Sequence, residues 1–471
     1  MSARLEQRLR EILRERSRPG AMAPEAPATP PRDQAPDAAR SPDVRLRAAA
    51  EALGGEIIER GGGAVIVVDT FYPADHQHGL LRIGDVAGRA MAAAQEIAML
   101  GGVPEPLDGP PRSLLFVDLE TTGLAGGAGT YAFLVGCGFF EPHGFRVRQY
   151  VMPAYHHERP LLAEVESLVR ASAGLVSYNG KSFDVPVLET RYQFNRLPPP
   201  FEGLAHVDML HSARRFWRGA AASAGAWPET DGCRLSTLER TLFGVRRIGD
   251  VPGFEIPGRY FGFIRSGDAL PLEPVLEHNR LDLVSLAAMT ARAVELLKDA
   301  PRSSRSSRES LGAGRLLERA GRLDAAERCY EDAVVRTSRE RGLDAPVTRA
   351  EALKALATSF RRTGRHVDAA QAWQAVVDDR RAPAPVRREA LEALAIYFEH
   401  RARDLDEARR FARLSLAERV GTRSMDEGRH RLARLDRKLG SRHVERAFVV
   451  PPSLDLVGGE DGRPLDDEPR P

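Results

Sequence analysis

The sequence predicts an α/β domain followed by a separate α-helical repeat domain. Three observations carry this expectation. Between Ser113 and Leu297, apolar runs of strand length alternate with stretches of helical periodicity. A polar break follows at 301–308, PRSSRSSR, beyond which the chain turns Arg/Ala-rich and helical. Within that second half a residue pattern recurs 43 positions later.

The elements follow in order. Residues 1–45 open with Leu5, Leu9, Ile12 and Leu13 on one side of a short helix. Seven prolines between positions 17 and 43 then predict a disordered linker. Residues 46–110 read as a small accessory region, with a strand at Ala64–Val68 and a helix near Val86–Leu100. In 111–298, strands are expected at Leu114–Glu120, Tyr131–Phe140, Phe145–Met152 and Gly174–Tyr178. Helices are expected at Glu158–Ala171, Asp184–Asn195, Leu235–Gly244 and Leu272–Leu297. Ser236 and Glu239 stand at capping-box spacing. The sum is a mixed sheet of about five strands with flanking helices. In 309–440, Gly321, Ala326, Tyr330 and Ala333 match Gly364, Ala369, Trp373 and Val376, with a weaker copy at Ala408, Ala412 and Ser415. Small residues at helix crossings with aromatics between them resemble tetratricopeptide hairpins. The tail 441–471 is Pro-, Gly- and Asp-rich and reads as disordered.

Composition narrows the function. The net charge is +2, from 68 basic and 66 acidic residues, so a polyanion must be held by a local patch rather than an overall field. Arginine far outnumbers lysine, which a GC-rich genome explains more simply than phosphate recognition. No run approaches the roughly 18 apolar residues of a membrane span. The N-terminal residues lack an unbroken apolar core, and Cys137, Cys233 and Cys329 form no metal-type pair or disulfide framework. The expected compartment is the cytoplasm.

Three segments carry chemistry. In Phe116–Leu124, FVDLETTGL, Asp118 and Glu120 lie two apart and face one side of a strand. Two carboxylates at the end of an apolar strand repel one another, and a divalent cation relieves that. In Tyr178–Asp184, YNGKSFD, a glycine turn leads to an Asp at a helix start, which alone reads as an N-cap. In His278–Asp282, HNRLD, His and Asp stand one helical turn apart. With Ser285 they point away from the apolar stripe, which alone reads as a solvated face. Weaker signals are His156-His157, read as a solvated helix start; Arg214, Arg215 and Trp217, read as a stacking surface or an amphipathic helix; and Tyr260–Phe263, read as core.

Together the three segments resemble the DEDD superfamily of 3′→5′ exonucleases, within the RNase H-like fold. The stretch DVPGFEIPGRYFGF…EHNRLDLVSLAAM looks like the bacterial YprB-like group of that fold, in which tetratricopeptide-like repeats also occur. The resemblance covers about residues 50–297. It implies two Mg²⁺ (or Mn²⁺) ions held by Asp118, Glu120, Asp184 and Asp282, with His278 as general base. It further implies Thr121, Thr122 and Leu124 beside a terminal nucleotide, and Asn179 positioning its turn. Asp208 resembles a recurring acidic position and is given a structural role. His278 departs from the family pattern: there four residues intervene between a His and the last Asp, whereas here three intervene, the spacing of the Tyr branch. The expected partners are a DNA or RNA end, and a protein on the helical repeats. A non-catalytic scaffold that binds nucleic acid and recruits protein is the alternative. An RNase H-type endonuclease shares the fold and the metals.

Overall fold

The computed structural model describes residues 41–91, 93–102, 114–123, 127, 129–219, 233–418 and 422–448. The expected N-terminal helix, most of the Pro-rich linker, the end of the tail and Leu124 lie outside the described residues. The chain divides into Met1–Val44, of which only 41–44 are described, and Arg45–Pro471.

In the larger unit the sheet has seven strands in the order β1-β2-β7-β6-β5-β8-β9. They are β1 (Glu56–Arg60), β2 (Gly63–Pro73), β5 (Leu114–Thr121), β6 (Ala132–Glu141), β7 (Gly144–Val151), β8 (Gly174–Ser177) and β9 (Ala205–Asp208). A separate two-residue pair, β3 (Gln77–His78) and β4 (Leu81–Arg82), sits outside it. β1, β2, β7, β6 and β5 pair antiparallel in that order, and β8 and β9 continue in parallel. The mixed α/β architecture with a following all-helical region is therefore the one expected. The extra strands come from the stretch read as an accessory region: β2 pairs with β7 along Ile66–Pro73. The strand expected at Gly174–Tyr178, β8, is joined by β9, whose four residues are too few for a periodic signal.

Strand alternation distributes the side chains to two cores. On β5, Leu114 and Phe116 enter one core, and Leu115, Val117 and Leu119 the other. The first core lies under α2 (Ile83–Met91), α3 (Ala94–Gly101), α6 (Met209–Phe216), α7 (Leu235–Phe243) and most of α9 (Glu273–Lys298). The second lies under α4 (Glu158–Arg170), α5 (Asp184–Phe194) and α8 (Ile256–Ser266). α1 (Pro42–Ala52) contributes Ala49 and Ala50 to it. Tyr260 stacks on Phe133 with ring centroids 4.1 Å apart, so the Tyr260–Phe263 segment is core.

Helices α10 (Ser307–Arg319) and α11 (Leu323–Thr337), α12 (Ala345–Arg362) and α13 (His366–Asp378), and α14 (Ala384–Tyr397) and α15 (Leu405–Ala417) form three hairpins, followed by α16 (Thr422–Phe448). The 43-residue recurrence is structural. Gly321 and Gly364 close two of the hairpins with φ of 75° and 79°, and Tyr330 and Trp373 fill equivalent buried places. The array is not joined by a solvated linker. Glu309 on α10 pairs with Arg292 on α9 at 2.9 Å, both side chains 3% exposed, and accepts from Trp217 Nε1 at 2.9 Å. Trp217 is thereby part of the joint and not a stacking surface. Among the described residues no helix is long and apolar enough to cross a membrane.

Candidate active site

The even-numbered face of β5 that buries Leu114 and Phe116 continues to Asp118 and Glu120 at the end of the strand. Opposite it runs α9. A Cβ added to Gly136 on β6 would stand 2.1 Å from Asn279 Oδ1, so glycine lets the helix lie close against the sheet. Asn279 is buried, accepts from Gln149 Nε2 at 2.8 Å, and donates to Asp118 Oδ2 at 2.8 Å. His278 and Asp282 flank this contact on the same helix. After Glu120 the ladder shifts register, and Thr122 exchanges bonds with Tyr131, its N–H to Tyr131 O and its Oγ1 from Tyr131 N, both 3.0 Å. Thr121 Oγ1 donates to Gly123 O at 2.9 Å.

The second segment turns at the end of β8. Asn179 has φ of 67°, the left-handed region that Asn tolerates. Asp208, at the end of β9, accepts from the Asn179 and Lys181 amides at 2.8 and 3.1 Å and from Leu210 N at 3.0 Å. It ties the turn to α6, a structural role. A Cβ on Gly180 would meet Ser177 Oγ at 2.3 Å. Asp184 is not the N-cap expected from its place in the sequence. Phe183 holds that position, and Asp184 is the first residue of α5, buried and free to face the cluster.

Electrostatics show how close the acids are. Asp118 is held well above the usual carboxylate range by burial, then by Asp282, Glu120 and Asp184. Glu120 is raised likewise by burial and by Asp282, Asp184 and Asp250. Asp184 is pushed up to about 7 by burial, by Asp208 and by Asp282. Burial and mutual repulsion thus disfavour the ionised forms of these three carboxyls, a penalty that a nearby positive charge would relieve.

Arginine 247 answers part of that charge. Its guanidinium donates to Asp282 Oδ1, and makes a bidentate pair with Glu239 at 2.6 and 2.8 Å. Glu239 also accepts from Ser285 Oγ at 2.5 Å, and Ser285 meets His78 Nε2 at 2.9 Å. Burial, His76 and Arg247 lower His78 to about 4. The capping-box reading of Ser236 and Glu239 therefore gives way: the α7 N-cap is Arg234 without a side-chain bond, and Glu239 serves the site. Likewise Ser285 is fully buried in a polar chain and not on a solvated face. His157, read as solvated, accepts from Ala64 N at 2.9 Å.

His278 stands between the acids. Its Nδ1 donates to Asp250 Oδ1 at 2.6 Å, and its Nε2 lies 3.9 Å from Glu120 Oε1 and 3.6 Å from Asp282 Oδ2. Sequence reasoning missed Arg247, Asp250 and Glu239 as site residues. Arg247 and Asp250 come from an irregular loop, where no periodicity marks which side chain turns inward. The four carboxylates offer only hard oxygen donors, which fit Mg²⁺ or Mn²⁺ in kind. Among the described residues no three acidic, His or Cys side chains already close into a ligand cage. Asp118 and Asp282 are instead engaged by Asn279 and Arg247.

Residues 115–294 match the family model described as RNase_H superfamily. Over 234 residues the chain is 34% identical to the uncharacterized protein YprB of Bacillus subtilis (strain 168), covering 48% of this chain and 52% of that protein. The chain thus spans about half the length of the curated relative it matches. With the sheet order and the helix packed across it, residues 115–294 have an RNase H-like fold, in keeping with that match.

Proposed function

We propose that this domain is a metal-dependent nuclease of the DEDD type, a 3′→5′ exonuclease acting on DNA or RNA ends. The observation that supports it most is the convergence of Asp118, Glu120, Asp184 and Asp282 from three segments, with His278 beside two of them. These four acids are the proposed ligands of two Mg²⁺ or Mn²⁺ ions, which when bound would offset charge on the attacking and leaving oxygens of a phosphodiester.

The chain's own residues prepare the rest. The Asp250–His278 bond fixes the imidazole with its proton on Nδ1, leaving Nε2 as an acceptor directed at Glu120 and Asp282. That is the state a general base needs to take a proton from water. Three residues separate His278 from Asp282, and the i,i+4 geometry still brings Nε2 to the carboxylate. Thr121, Thr122 and Leu124 are the proposed contacts to the terminal nucleotide. Asn179 shapes the turn before Asp184. The helical array is proposed as a tetratricopeptide-like protein-binding surface, and the cytoplasm as the compartment, in keeping with three free, buried cysteines.

The test is cleavage of end-labelled DNA and RNA oligonucleotides, single- and double-stranded, with Mg²⁺ or Mn²⁺. Laddering from the 3′ end is expected. Asp118→Asn and Asp184→Asn should each abolish it with the fold intact, because each removes a ligand charge and no packing. Full activity in both variants would remove the four-carboxylate site from the mechanism.

A further inference from the structure

We propose that the cavity beside the carboxylates, walled by Thr237, Arg240, Arg246 and Arg247, is a phosphate subsite for a nucleic-acid strand, with Arg240 and Arg246 as its contacting side chains. The inference rests on the nuclease reading and locates part of its substrate. The cavity has a volume of about 590 Å³, and Glu239 and Asp250 also line it. Its acids are committed. Glu239 is bonded to Arg247 and Ser285, and Asp250 to His278 and Arg247. Arg240, in the last turn of α7, and Arg246, in the loop after it, are exposed, and among the described residues neither is ion-paired. The cavity therefore keeps two uncompensated guanidiniums, whose planar donor forks match phosphate oxygens.

The wall toward the carboxylates is one side chain thick. Arg247 lines the cavity and bonds Asp282, and Asp250 lines it and bonds His278. Locked among three carboxylates, Glu239, Asp250 and Asp282, Arg247 is the fixed part of this wall, while Arg240 and Arg246 remain available. A strand whose reacting phosphate lies at the acids runs its neighbouring phosphates past this wall. The subsite places cations where they attract the strand without cancelling the acids themselves.

The experiment uses the full chain carrying Asp118→Asn, so that binding is read without cleavage. Fluorescence anisotropy with labelled oligothymidylate and oligouridylate is followed across a range of KCl. Arg240→Gln/Arg246→Gln should weaken binding by about tenfold or more. It should also flatten the slope of log affinity against log salt by about 1.4, the loss of two phosphate contacts to a single strand. Arg361→Gln/Arg380→Gln, which removes two exposed charges from the helical array, should leave both nearly unchanged. An unaltered affinity and slope in the first double variant, or an equal loss in the second, would overturn the subsite. Absence of binding by the Asp118→Asn chain to either oligonucleotide would overturn it as well. Cleavage by the protein with Asp118 intact tests the nuclease reading separately: cleavage combined with an unaltered double variant removes the subsite alone.

Discussion

His278 owes its orientation to Asp250, and that dependence is measurable. If Nε2 takes the proton from water, His278→Ala should slow cleavage on the order of 10²–10⁴-fold while metal binding persists. Asp250→Asn keeps the shape but no longer enforces the proton on Nδ1, and should lower kcat in the same direction. Equal rates for all three proteins across neutral pH would leave His278 a bystander. Asp184 carries a second prediction. Burial, Asp208 and Asp282 push its carboxyl up to about 7 in the fold, against roughly 3.9 in an unfolded chain. Between those values the folded chain holds a proton that the unfolded chain has lost, so metal-free stability should fall as pH rises through that window. Asp184→Asn removes the loss. In EDTA it should be more stable than the parent at about pH 8, by roughly 4 kcal/mol, with the gap closing toward pH 4. A parent whose melting temperature rises from pH 4 to 7 in step with the variant would contradict the raised value. At this scale the pairs Asp118–Glu120 and His278–Asp282 were legible, because strand and helix periods put each pair on one face, whereas Asp184 alone reads as an N-cap and joins them only through the family resemblance. Arg247 and Asp250 were not legible, since each reaches the site from a loop about 30 residues before its partner on α9.

Helix α9 meets the sheet at a place prepared by a residue without a side chain. Adding a methyl at Gly136 would place it 2.1 Å from Asn279 Oδ1, and Gln149 and Asp118 hold that amide from two other sides. Gly136→Ala should therefore push α9 outward, cost about 1–3 kcal/mol, and reduce cleavage more than its stability loss explains. Denaturant melts beside a rate measurement would check this; a stable, fully active variant would mean that the helix accommodates the methyl freely. The four strands and four helices given bounds in 111–298 were read to within a residue or two, α4, α5, α7 and α9 among them. The reading failed where an element's identity depended on a distant partner. β2 reads as an isolated strand until β7 is seen beside it. The expected single helix near Val86–Leu100 is two, α2 and α3, with Ala93 outside both. The turn glycines of the repeats were legible because the left-handed closure recurs at a fixed interval.

The first core runs without a break from Phe116 on the sheet, through Met289 on α9, to Tyr330 and Trp373 in the array. The polar segment 301–308 gave no sign of this, because a short stretch of Ser and Arg has the same composition whether it is solvated or crosses a buried joint. Glu309 is the polar element of that joint. Glu309→Ala would leave Arg292 buried with only the part-exposed Glu295 carboxylate and the Ser303 carbonyl, and Trp217 Nε1 without an acceptor. A loss of roughly 3 kcal/mol is expected, in one cooperative transition rather than two. Deletion of 309–440 should yield an insoluble or molten remainder; a well-folded remainder in calorimetry would refute this. Helix α9 has a mechanical consequence as well. It runs 26 residues, about 39 Å, with His278 and Asp282 near one end and Arg292, clamped to α10, near the other. An unbroken helix is stiff along its length, so it works as an axle rather than a hinge. The array is thereby held at a constant bearing to the carboxylates, and a pull on it would be delivered to them as torque instead of being absorbed in a slack tether.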